Sequence, residues 1–190
     1  MLSKADDYPI HQSPEPIAYA GQSRNFYDRY FFNGYDIEGD VFFALGMGIY
    51  PHVDVIDAGF SLIRNGVQHD LLCSRALGME RMDTQVGNIK VEVVEPLQSL
   101  RLLIDAPQHG IEADLLFTGR APAQEEPRFT RHLGSQLFMD YTRLTQNGQW
   151  EGWIKHQGER INVAPVRWFG TRDRSWGIRP IGERDAQANP

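Results

Sequence analysis

The first residues to test for chemistry are the histidines, because imidazole is the usual metal ligand and the side chain that changes charge near neutral pH. There are six: His11, His52, His69, His109, His132 and His156. None forms a His-x-His or His-x-x-x-His pair, and Cys73 is the only cysteine. Structural zinc needs several such ligands at short spacing, so no metal site and no cofactor site is expected. A Gly-x-Ser-x-Gly elbow is missing, which removes the serine-hydrolase reading. Gly46-Met47-Gly48 lacks the third glycine and the helix of a dinucleotide-binding loop.

Three positions remain. His69 is expected on the inward face of a hairpin beside Leu62, either as a hydrogen-bonded core histidine or as a polar anchor in a pocket. Arg143 is expected on an apolar face opposite Gly152. A charge there must be paired, or its stem must pack while its head reaches water. The third is Gly170-Thr171-Arg172-Asp173-Arg174-Ser175-Trp176-Gly177. Arginine on both sides should depress the pKa of Asp173 unless burial outweighs it. One reading is a surface loop tied by ion pairs. The other makes Asp173 a pocket acid in salt-bridge range of an arginine, with Trp168 and Trp176 as walls.

The elements that would position these groups read as strands. Asn65-Gly66 separates two β-rich runs, Val53 to Arg64 and Val67 to Leu77, and is a strong hairpin signal. A two-residue turn there sets Leu62 opposite His69, Phe60 opposite Leu71 and Ala58 opposite Cys73. Asn147-Gly148 carries the same signal, and Gln157-Gly158 a weaker one. Turns at both give a three-strand meander with Tyr141 opposite Ile154 and Ile154 opposite Ile161. Further strands are expected at Val41 to Tyr50, Ile89 to Val94, Leu100 to Asp105 and Ile111 to Thr118. The Ala121 to Pro127 stretch reads as a loop. Alternation puts Phe60, Leu62, Leu71, Ile89, Val91, Val93, Leu100, Leu102, Ile104, Leu115, Phe117, Ile154 and Ile161 in the core. The fold class is therefore all-β and antiparallel: an up-and-down barrel, with a two-sheet sandwich as alternative.

The 190 residues suit one domain. The boundaries are an extended, proline-bearing arm over 1–25, a barrel over 26–182 and a frayed tail over 183–190. Acidic residues outnumber basic ones 25 to 19, a net charge of −6, which argues against a nucleic-acid partner. No signal peptide and no membrane-length apolar run are evident, so the expected compartment is the cytoplasm.

The segments 60–66 (Phe-Ser-Leu-Ile-Arg-Asn-Gly), 91–97 (Val-Glu-Val-Val-Glu-Pro-Leu) and above all 172–177 (Arg-Asp-Arg-Ser-Trp-Gly) resemble a bacterial family of uncharacterised proteins. That family is related to carotenoid 1,2-hydratase (hydroxyneurosporene synthase) and the tocopherol-cyclase-like group. The resemblance implies a lipocalin-like (calycin) barrel, of which longer relatives carry two in tandem with the 172–177 motif near their junction. This chain ends soon after that motif and reads as the N-terminal barrel. A second barrel domain or a homo-oligomer is the implied partner.

Two functions follow. One is binding of an apolar, isoprenoid- or lipid-like small molecule. The other is a hydratase- or cyclase-type lyase acting on an isoprenoid alkene. There Asp173 is the acid, with Tyr141, Trp168 and Trp176 as walls, and Arg143 and His69 are further ligand-binding candidates.

Overall fold

The computed structural model describes residues 23–181, and the expected arm (up to residue 22) and tail (from 182) lie outside the described residues. Thirteen strands form one antiparallel sheet: β1 (Phe26–Asp36), β2 (Val41–Tyr50), β3 (Val55–Arg64), β4 (Val67–Ala76), β5 (Gln85–Val86), β6 (Ile89–Glu95), β7 (Ser99–Ala106), β8 (Ile111–Gly119), β9 (Gln124–Glu125), β10 (Phe129–Leu133), β11 (Gln136–His156), β12 (Glu159–Val163) and β13 (Trp168–Ile178). The spatial order is β4-β3-β2-β1-β13-β11-β8-β7-β6-β5, with β9, β10 and β12 also paired to β11.

Most neighbours are joined by short turns, so the sequence pattern sets their register. The β3–β4 hairpin turns on Asn65 and Gly66, with φ of 53° and 74°. Its pairs are Leu62 with His69, Phe60 with Leu71 and Ala58 with Cys73. The β11–β12 hairpin turns on Gln157 and Gly158, φ 50° and 85°, and pairs Ile154 with Ile161 and Gly152 with Val163. One face of the sheet collects Phe32, Phe43, Phe60, Phe117 and Trp150, all fully buried. Their rings meet edge-on or stacked, with Phe43 and Phe117 at 5.0 and 5.2 Å from Trp150. The indole N–H of Trp150 donates to the Asn33 carbonyl at 2.9 Å, which satisfies its one donor.

The ladder is not closed. The edges β4 and β5 meet through a side chain: Arg75 donates to the carbonyls of Gln85 and Asp83, both at 2.8 Å, and to those of Ala76 and Leu77. A guanidinium with five donors can serve several backbone acceptors where strands do not pair.

Four expectations are corrected. Asn147-Gly148 is not a turn but lies inside the 21-residue strand β11. Gly148 is flanked by Gly119 and Gly170 on the adjacent strands, and a Cβ on it would fall 2.2 Å from the Phe117 ring. The glycine is there for close packing and needs no positive φ. Tyr141 consequently pairs with Gly177 and Phe129, not with Ile154. The stretch 168–178 is a central strand, not a loop, because both its sides find partners in β1 and β11. Within the expected loop at 121–127, Gln124 and Glu125 pair with Thr145 and Leu144. Of the expected core, Val93 is 49% exposed: the β6–β7 register slips between Val93 and Glu95, and pairing resumes at Glu95 with Ser99. Ile161 is only partly buried against the core.

Candidate functional site

Alternation along β13 sends neighbours to opposite faces. Arg172 and Arg174 therefore turn into the barrel. Arg172 is buried, donates to Gln146 Oε1 at 2.7 Å and lies over the Phe117 ring. Arg174 lies over Tyr30, with its centre 4.2 Å from the ring, and pairs with Asp28. Arg81, from the segment between β4 and β5, reaches the same Asp28 carboxylate at 3.2 Å. Burial depresses the pKa of all three guanidiniums, that of Arg174 to about 10. Among the described residues, then, Asp173 is not ion-paired to its sequence neighbours, contrary to the charge-accounting expectation.

Asp173 faces outward, between Phe31 on β1 and Thr145 on β11. It is half-buried, and its Oδ1 is shielded from solvent without a hydrogen-bond partner. Burial raises its carboxyl pKa; Arg29 and then Arg143 oppose the rise, and Glu126 adds to it. Burial thus outweighs the arginines brought from β1 and β11. Phe31, Pro122, Gln124, Thr145 and Asp173 line an outer-face cleft of about 220 Å³.

Arg143 shares this face. It pairs with Ser175, not Gly152, because no turn forms at 147–148. Its Nε donates to Glu126 at 2.9 Å. Tyr141 lies two residues along, its ring 6.5 Å from Tyr27 and 5.4 Å from Phe129. Tyr27 and Tyr141 are the register neighbours of Gly177.

A larger cavity, about 440 Å³, continues the same face toward the start of β3; Tyr27, Arg29, Tyr50, Asp57 and Arg179 are among its lining residues. The Tyr50 hydroxyl lies over Gly48, where a Cβ would be 2.2 Å away. Asp57 accepts the Gly48 N–H at 3.2 Å. Burial raises the pKa of both Tyr50 and Asp57.

The structure thus brings Asp173, Arg143 and Tyr141 onto one face. Trp168 is buried in the interior and stacks on Phe43 at 6.3 Å. Trp176 belongs to the alternate set of β13, between Asp28 and Thr142. His69 is at the far hairpin, its ring 4.4 Å from His156. Burial, then His69, lowers the pKa of His156. Among the described residues no group of three or more His, Cys, Asp or Glu side chains could hold a metal. Sequence reasoning missed Tyr27, Arg29, Phe31, Asp57 and Glu126. The alternation Tyr27-x-Arg29-x-Phe31 against Tyr30-x-Phe32 was a strand signal, but one of its two partner strands, β13, lies more than 130 residues away.

An antiparallel barrel with an aromatic-filled interior and a polar cleft on its outer face places the chain among lipocalin-like barrel proteins. The chain belongs to a family of unknown function (DUF8625), whose model matches residues 2–190. No curated protein matches it by sequence. Among solved structures it is similar to kievitone hydratase from Nectria haematococca, with 14% identity, a TM-score of 0.61, and 78% of this chain and 47% of that one covered. It is also similar to CghA with Sch210972, with 13% identity, a TM-score of 0.50, and 81% and 46% covered. The likeness is one of fold, and the chain spans about half the length of these neighbours. Among the described residues no helix is long and apolar enough to cross a membrane.

Proposed function

We propose that the outer-face cleft binds an apolar, isoprenoid- or lipid-like small molecule and acts on it as a hydratase-type lyase, with Asp173 as proton donor. The carrying observation is that Asp173 Oδ1 is shielded from solvent without a hydrogen-bond partner. A general acid works best when its pKa lies near the working pH, and burial moves this carboxyl in that direction. In the forward step the Asp173 carboxylic acid gives its proton to one alkene carbon. Water then bonds to the cationic carbon and returns a proton to the carboxylate. Phe31, beside Asp173, presents an aromatic surface to the developing cation. Arg143 holds Glu126 at the cleft edge, and Tyr141 extends the wall. The motif resemblance to the carotenoid 1,2-hydratase group and the fold likeness to kievitone hydratase agree with this chemistry without establishing it, since folds host many reactions.

Binding without turnover is the second reading. It is favoured by the cleft being open on one side, because alkene protonation needs a dry site. A second barrel, or a second copy of the chain, would then complete the enclosure. The test is incubation with a panel of isoprenoid alkenes and their tertiary alcohols, followed by mass spectrometry for gain or loss of one water. Turnover that disappears in Asp173→Asn supports the lyase. Binding with no turnover, unchanged in Asp173→Asn, leaves the binding reading.

A further inference from the structure

Beside the Asp173 cleft, the 440 Å³ cavity holds polar atoms with nothing to bond. Arg29 sits on β1 between Gly48 of β2 and Ser175 of β13. Those two small neighbours let its guanidinium lie along the sheet, 5.8 Å from the Phe31 ring. Its Nε is fully shielded from solvent and makes no hydrogen bond. Tyr27 is 2% exposed, and its hydroxyl is likewise shielded and unbonded. A buried donor left unmade costs its whole desolvation energy, so two of them on one cavity wall call for a common acceptor. Arg179 stands across the Tyr27 ring at 5.3 Å. Among the described residues, the carboxylate lining the cavity is that of Asp57, and the arginines are Arg24, Arg29 and Arg179. The remaining wall is apolar: Val53, Val55, Pro180 and Ile181.

We infer that this cavity is a binding site for the carboxylate end of an amphiphilic small molecule, with Arg29 and the Tyr27 hydroxyl donating to the carboxylate and the apolar wall taking the chain. A guanidinium matches a carboxylate through charge-assisted bonds. The valines and Pro180 offer an alkyl or aryl tail a dry contact. The site rests on the reading of the outer face as a ligand face, but not on any turnover by Asp173.

The test is titration calorimetry of the full chain with decanoate, decyl phosphate and 1-decanol. Decanoate is expected to bind at least about tenfold more tightly than 1-decanol, the difference a charge-assisted hydrogen bond makes. Arg29→Met should lose at least about tenfold for decanoate, with its ligand-free melting temperature recorded alongside to show that it folds. Tyr27→Phe, which deletes one hydroxyl, should lose several-fold and serves if the arginine variant does not fold. Asp173→Asn removes a negative charge that Arg29 feels and should hold or raise decanoate affinity even where it abolishes turnover, which separates this site from the lyase proposal. Equal binding of decanoate and decanol, no binding of decanoate, or unchanged affinity in both variants would overturn the inference. Decyl phosphate binding more tightly than decanoate would overturn the carboxylate assignment in favour of a phosphate headgroup.

Discussion

Gly148 lies directly against the ring of Phe117, with space for a hydrogen but not for a methyl group. Phe117 is itself fully buried and touches Trp150 and Phe32, so it has nowhere to move. Gly148→Ala is expected to destabilise by about 1–3 kcal/mol through overpacking. Gly66 has open space around it and φ of 74°; there the same substitution costs roughly 1 kcal/mol through backbone strain. Denaturant melts of the two alanine variants check this. The two Asn-Gly pairs separate further with Phe117→Leu, which should relieve part of the Gly148→Ala penalty, the Thr118 carbonyl at 2.7 Å keeping the rest, and leave the Gly66→Ala penalty alone.

Asp173→Asn is expected to leave the fold at least as stable as the wild type at neutral pH. A carboxyl raised in the folded state contributes stability below its unfolded value, near 3.8, and loses it as pH rises through the folded value. Above that folded value the wild type carries a partly buried charge that asparagine does not. The melting temperature difference should shrink as pH is lowered toward 4. A variant that melts well below the wild type at pH 7 would show instead that the carboxylate is holding the strands together.

His156 gives the opposite sign. Burial lowers its folded value beneath the ordinary 6.5, so the folded state prefers the neutral ring. Its contribution is fully present above about pH 6.5 and is lost as pH falls through the depressed folded value. The neighbouring His69 ring, 4.4 Å away, makes double protonation worse. His156→Gln should flatten the loss of melting temperature between pH 7 and 5. Retention of the wild-type slope would locate the acid sensitivity elsewhere.

Arg75 holds the open edge of the barrel through backbone carbonyls of four residues. Arg75→Met keeps the stem and removes those bonds. Amide exchange is expected to quicken across the segment between β4 and β6, with the β1, β11 and β13 amides unchanged, because the seam opens locally before the core does. Uniform quickening of every strand would mean that the seam belongs to the global cooperative unit.

The sequence alone determined whatever rests on neighbouring residues. The register of β3 on β4 was legible because one turn and one alternating pattern specify it together: a slip of one residue at Asn65-Gly66 would have sent Phe60 and Leu62 to solvent. The all-β antiparallel class was legible from the same alternation repeated along the chain. Tertiary structure decided the rest: β1 meets β13 across more than a hundred residues, and β11 meets β13 across the whole of β12, so no tight turn sets either register. Asn147-Gly148 reads locally like Asn65-Gly66; only the arrival of Phe117 from β8 makes the second glycine a packing residue instead of a turn. Arg172, Asp173 and Arg174 read as one charge cluster, yet once the stretch becomes a central strand the pleat divides it. The two arginines enter the barrel, and the carboxylate is left on the outer face opposite Phe31, beside arginines that the chain brings from β1 and β11.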